Sequence, residues 1–79
     1  MATIRFFAAA AEAAAADAAA IDATSVGDLR AQLTGLYGAE FERILGRCSL
    51  LVNGTRATDD TVTLSGGDTV DVLPPFAGG

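Results

Sequence analysis

AAAAEAAAADAAAID, residues 8–22, can be read in two ways, and the choice decides the fold. Alanine has the best helix propensity, so the run taken alone reads as helix. Yet residues 16–24, ADAAAIDAT, also read as a strand of small residues ending at Ile21 or Asp22. The short space before the next element favours that second reading, a hairpin return. A helical turn over 9–15 followed by a strand over 17–23 is therefore expected.

The flanking segments fit this division. ATIRFFA, residues 2–8, has strand periodicity, with Ile4 and Phe6 on one face and Thr3, Arg5 and Phe7 on the other. Arg5 should face water, so Ile4 and Phe6 should face the core, and Phe7 becomes an apolar residue on the outward side. TSVGDLRAQLTGLYG, residues 24–38, predicts a helix capped by Ser25, with Asp28 three residues on as a short capping box. Val26, Leu29, Leu33 and Leu36 form its apolar stripe and Gly38 its stop, while Gly27 and Gly35 weaken its interior. AEFERILG, residues 39–46, continues as a short helix with Phe41, Ile44 and Leu45 inward.

In CSLLVNGTRAT, residues 48–58, a strand runs into the Asn53-Gly54 turn and a returning segment. Thr61 to Leu64 reads as a further short extended piece, SGGD as a turn, and TVDVL, residues 69–73, as the last strand. That strand has Val70 and Val72 inward and Asp71 and Leu73 outward. The order strand, strand, helix, strand, strand predicts a two-layer α+β domain, a mixed sheet packed against one main helix. With the first and last strands side by side it is the β-grasp architecture. One domain over 1–79 is expected, with 74–79 as a flexible tail.

Composition excludes several functions. The net charge is −5, and all five bases are arginine: Arg5, Arg30, Arg43, Arg47 and Arg56. An acidic chain with no basic stripe is unsuited to nucleic acid or an anionic membrane and better suited to a basic protein partner. With no histidine and a single cysteine, Cys48, a zinc site, a disulfide framework and a Ser-His-Asp or Cys-His arrangement are all excluded within the chain. No metal site is expected, and a reducing cytoplasm is the expected compartment. Cys48 reads as a core thiol and Asp59-Asp60 as a solvated turn.

The closing PPFAGG, residues 74–79, carries the functional signal. Pro74 and Pro75 hold φ and launch the chain in an extended form. Gly78 and Gly79 project no side chains, so the segment is slim enough to enter a partner's active site, and six extended residues reach at most ~20 Å. Its end group is the Gly79 α-carboxylate, ionised at neutral pH with an ordinary pKa of roughly 3.5. Acyl chemistry there requires prior activation, most simply as a mixed anhydride with AMP. Phe7 and Leu73 would meet at the base of this tail, with Phe76 extending an outward apolar patch and Arg56 at its rim.

IRFFA at 4–8, SVGDLRAQL at 25–33, LLVNGT at 50–55 and above all LSGGDTVDVLPPFAGG at 64–79 resemble the MoaD/ThiS family of ubiquitin-like sulfur carriers over the whole length, with molybdopterin synthase small subunits the most similar branch. The alanine-rich stretch departs from the family's usual text, which carries larger apolar and charged residues there. The resemblance implies a ubiquitin-like fold and a carrier that is a sulfur-donating cosubstrate and not itself catalytic. A ubiquitin-activating-type adenylating enzyme uses ATP to adenylate Gly79, and a sulfur donor protein replaces AMP to leave a Gly79 thiocarboxylate. The tail, Phe76, Ala77, Gly78 and Gly79, then enters the large subunit of molybdopterin synthase and gives up sulfur for the dithiolene. Phe7, Leu73, Pro75 and Arg56 would contact partners, and no cofactor is bound by the chain itself. Sulfur carriage for thiazole or cysteine synthesis, a ubiquitin-like protein modifier and a plain binding module are the alternatives.

Overall fold

The computed structural model describes residues 1–75. In chain order its elements are β1 (Ala2–Phe6), α1 (Ala8–Ala14), β2 (Ala18–Ile21), α2 (Val26–Tyr37), α3 (Ala39–Leu45), β3 (Ser49–Val52), β4 (Thr55–Ala57) and β5 (Thr69–Leu73). They form a five-stranded sheet in the order β2-β1-β5-β3-β4. β1 and β5 run parallel at its centre, and the other pairings are antiparallel. This is a mixed sheet with helices on one face, the β-grasp, ubiquitin-like α+β fold.

The alanine run divides within a residue or two of expectation, and the reason is tertiary. Ala10 and Ala14, four apart on one helical face, are buried in the core. Ala15 then enters the left-handed region at φ 55° and ends α1. Ala16 donates to the Ala11 carbonyl at 3.2 Å, and Ala18 pairs with Arg5 across the β1–β2 hairpin. Ala10 and Ala14 pack closely because their side chains are small, while Ala8, Ala9, Ala15, Ala18 and Ala20 are exposed.

The sheet's inner face and the helices enclose one core. Its largest fully buried side chains are Phe41, Ile4, Leu29, Leu33, Leu50, Val26, Val70 and Val72. Phe6, Tyr37 and Phe41 form an aromatic group, with the Phe6 ring edge-on to Tyr37 at 5.6 Å and to Phe41 at 5.7 Å. Ser25 caps α2, its Oγ accepting from the Asp28 N–H at 3.0 Å, while the Asp28 carboxylate accepts from the Thr24 N–H. Asn53 fixes the β3–β4 turn against the next one. Its amide nitrogen donates to Asp68, and its oxygen accepts from the Thr69 N–H, both at 2.9 Å. Hydrogen bonds to Asp68, first from the Ser65 N–H and then from Asn53, hold its carboxyl below the usual range.

Two expectations are corrected, at Leu36 and Gly27, and one is refined. Leu36 is 60% exposed and does not belong to the inward stripe. The stripe passes from Leu33 to Tyr37, one full turn on, and Leu36 falls off its edge. The short extended piece expected at Thr61 to Leu64 is present as an isolated antiparallel bridge outside the sheet. Thr63 makes a single bridge to Ser25, the Val62 carbonyl accepts from the Val26 N–H at 2.9 Å, and the buried Leu64 donates to the Thr24 carbonyl at 3.0 Å. Gly27, read as a weakness, is a contact site: its N–H donates to the Asp60 carbonyl at 2.9 Å, and a Cβ there would lie 3.1 Å from the Asp60 Cβ.

Gly35 differs, because a Cβ at that position meets nothing within 4 Å. Gly35→Ala should therefore stabilise the protein by about 1 kcal/mol through helix propensity alone. Thermal unfolding should register this as a rise of roughly 4–8 °C in Tm. Gly27→Ala should gain less than Gly35→Ala in the same assay, because its Cβ would press on Asp60.

Candidate functional site

The parallel pairing of β1 with β5 determines what surrounds the chain where it leaves the sheet. Arg5 lies beside Asp71 and Phe6 beside Val72, and the Phe7 N–H extends the ladder by donating to the Val72 carbonyl at 3.3 Å. β3 sets Leu51 opposite Asp71 and Ser49 opposite Leu73, and β4 sets Arg56 opposite Leu51. On the sheet face away from the helices these registers make a cross-strand row, Ala18–Arg5–Asp71–Leu51–Arg56. Ser49 and Leu73 lie beyond it, at the exit end of β5.

Arg5 organises this face. Its Nε donates to Asp71 Oδ1 at 2.6 Å and its Nη2 to Oδ2 at 2.8 Å, a bidentate pair. The hydrogen bond to Asp71, and then the charge of that carboxylate, raise the Arg5 pKa above its ordinary value. The Arg5 side chain is 53% exposed and that of Asp71 15%, so solvent screens the pair only in part, and it fixes the geometry of this face. The same guanidinium lies 5.8 Å from the centroid of the Phe7 ring, which puts that ring on the outer face.

Phe7 is 38% exposed, whereas its neighbour Phe6, pointing inward, is 3% exposed. Leu73 and Pro74 are half-buried, and Pro75 is exposed. Phe7 and Leu73 thus share the outer face at the root of the tail. Arg56 is exposed on the same face but two strands from β5, in the Asp71 row and not beside Leu73. Phe76, Ala77, Gly78 and Gly79, the expected tail residues, lie outside the described residues.

Sequence periodicity missed Leu51. In SLLV it stands beside the fully buried Leu50, and two adjacent leucines conceal which one faces out; the register against Asp71 places Leu51 on the outer face. Cys48 is half-buried one residue before β3, its thiol donating to the Ile44 carbonyl at 3.2 Å. Burial pushes that thiol up in pKa, and the charge of Arg30 offsets part of the shift. Asp59 and Asp60 are structural. The Asp59 carboxylate accepts from the Thr61 N–H and hydroxyl, both at 2.7 Å, which lowers its pKa, and Asp60 pairs with Arg30 at 3.0 Å.

Among the described residues, no group of three or more His, Cys, Asp or Glu side chains converges to hold a metal ion. No helix among them is long and apolar enough to cross a membrane. What the described residues offer is an apolar and charged platform where the chain leaves β5.

Known proteins with this arrangement include several solved structures. A chain in the complex of subunits 1 and 2 of the molybdopterin-converting factor from Helicobacter pylori is 28% identical, with TM-score 0.77, over 99% of this chain and 97% of that one. SAMP1 from Haloferax volcanii is 27% identical, with TM-score 0.79, over 99% and 98% of the two chains. A putative molybdopterin converting factor subunit 1 from Pyrococcus furiosus shares the fold, with TM-score 0.83 at 22% identity over 94% of this chain and 95% of that one. No curated protein sequence matches. The ThiS family matches from residue 4 to residue 79, spanning both the platform and PPFAGG. The chain belongs to the ThiS family, the ubiquitin-like sulfur carriers.

Proposed function

We propose that this chain is the small, sulfur-carrying subunit of a molybdopterin synthase. The observation that carries the sulfur-carrier part of this reading is the family match over residues 4–79, which includes PPFAGG. The outer-face platform at the exit of β5 supports it, since a carrier needs a grip for its partners at the root of the segment it inserts. So does the likeness to a chain of the Helicobacter pylori complex.

In this reading the Gly79 carboxylate attacks ATP on a ubiquitin-activating-type enzyme, releasing pyrophosphate and leaving an acyl adenylate. Sulfur at the sulfide level, brought by a donor protein, displaces AMP and leaves the thiocarboxylate. Phe7, Leu73 and Pro75 seat the chain on the large synthase subunit, with Phe76, Ala77, Gly78 and Gly79 reaching inward to a cyclic pyranopterin precursor. The chemistry is located in the cytoplasm. This chain holds no cofactor; ATP belongs to the activating partner.

Phe7→Asp tests the platform. It should weaken binding to the large subunit by at least about tenfold, as loss of a central aromatic anchor does, with an unchanged circular dichroism spectrum. Unweakened binding would remove Phe7 from the interface, and an unfolded variant would contradict its outward placement. A second reading, a protein modifier, is favoured by the likeness to SAMP1. Reconstitution separates the two. The thiocarboxylate form with the large subunit should convert the precursor to a dithiolene, whereas a modifier would appear joined to lysines of other proteins.

A further inference from the structure

On the reading just given, the activated chain end is a strong acyl electrophile tethered to a protein that carries nucleophiles of its own. We infer that this chain is built not to intercept its own activated end, because side-chain amines and imidazoles are absent, the α-amine is distant and the one thiol is masked. The inference rests on the proposed carrier function.

Side-chain amines are absent. The five basic residues are all arginine, whose guanidinium stays protonated and is no nucleophile, and histidine is missing too. Serine and threonine hydroxyls therefore have no imidazole within the chain to activate them. The α-amine is distant. β1 runs parallel to β5, so Met1 lies at the end of the sheet opposite the tail's exit. Five strand residues separate the two ends by about 16 Å. The six residues beyond Leu73 span at most ~20 Å, so they reach Met1 only when drawn fully back along the sheet.

The thiol is the group in the dangerous place. Ser49 faces Leu73, so Cys48, one residue earlier, sits at the root of the tail, well inside its reach. A thiolate there would attack the Gly79 carbonyl carbon. The S–C bond would form, AMP would leave with the C–O bonding pair, and the thiol proton would pass to solvent. The carrier would be stranded as an internal thioester. The fold instead half-buries Cys48 and turns its S–H onto the Ile44 carbonyl at 3.2 Å, and burial raises its pKa. Little thiolate is presented.

The test uses the full chain prepared as a Gly79 α-thioester of mercaptoethanesulfonate. This needs no adenylating enzyme, so failure of enzymatic activation, which would count against the carrier reading, remains a separate result. Wild type is compared with Gly46→Cys and Arg47→Lys, both exposed positions beside Cys48. A Cβ on Gly46 meets only the Arg43 and Glu42 carbonyl oxygens, at 3.6 and 3.7 Å, so that variant should fold. In mildly alkaline buffer, intact mass should show the wild-type thioester exchanging with added glutathione but converting internally at least roughly tenfold more slowly than Gly46→Cys, following thiolate availability. Arg47→Lys, within the same reach, should accumulate an internal amide that wild type does not form. Reaction of Cys48 with an aromatic disulfide should be slow in the folded protein and fast in urea. Internal conversion of wild type at the Gly46→Cys rate, or an internal amide in wild type at the Arg47→Lys level, would overturn the inference.

Discussion

A chain carrying one extra alanine after Gly79 should transfer no sulfur while folding normally. In a carrier the terminal α-carboxylate is the only reacting group, and an added residue replaces it with an amide and moves the new carboxylate by about 3.4 Å. Reacting groups misplaced by about 1 Å already cost around a hundredfold in rate. Both adenylation and delivery depend on that position, so the loss should exceed a hundredfold at either step. Thermal unfolding should be unchanged, because PPFAGG follows the last strand and the buried core is complete by Val72. Removing Gly79 should have the same effect. A plain binding module would retain its activity after either change, and an extended chain that works without being trimmed would rule out the carrier mechanism.

The second large effect is on stability. Phe41 is fully buried and packs against both Phe6 and Tyr37, joining α3 to β1 and α2. Phe41→Ala should cost about 3–5 kcal/mol, the transfer free energy of the ring plus the cavity it leaves. Total stability for a domain of this size is about 5–15 kcal/mol, so the variant should be marginal. Its Tm should fall by roughly 12–40 °C. The Phe6 ring stands one residue before Phe7, so this core also supports the docking face. A loss below about 1 kcal/mol would mean that α3 is not part of the cooperative core.

Core and tail root differ in how openly the sequence displays them. The central strands are legible because Ile4, Phe6, Val70 and Val72 alternate cleanly with polar neighbours, and α2 because Val26, Leu29 and Leu33 repeat at helical spacing. The Asn53-Gly54 turn is announced by residue chemistry, and both residues adopt positive φ. The alanine run is legible too, since too few residues separate it from α2 for a helix alone.

What stays hidden depends on distant parts of the chain. Nothing near Gly27 in sequence reveals that Asp60 closes on it, so a contact glycine reads as a weak point in a helix. Leu36 and Tyr37 are equally plausible inward residues by spacing, and it is packing against Phe41 and Phe6 that selects the tyrosine. Leu51 shares its run with Leu50, and only pairing with Asp71 assigns its face. Arg56 reads as a neighbour of the tail, but the strand order puts it two strands away. The outward placement of Phe7 is legible because Arg5, two residues earlier, fixes the phase of the strand. The position of Cys48 at the root of the tail is not, because it depends on the antiparallel register of β3 against β5.

The most direct measurement is intact mass of the chain after incubation with an adenylating enzyme of the ubiquitin-activating type, ATP and a sulfur source. A sulfur carrier should exchange a single oxygen for sulfur, located at Gly79 by fragmentation and lost again when the large subunit and precursor are supplied. An unmodified Gly79 in the presence of an enzyme proven active on another carrier, or sulfur found on Cys48 instead, would refute sulfur carriage at the chain end.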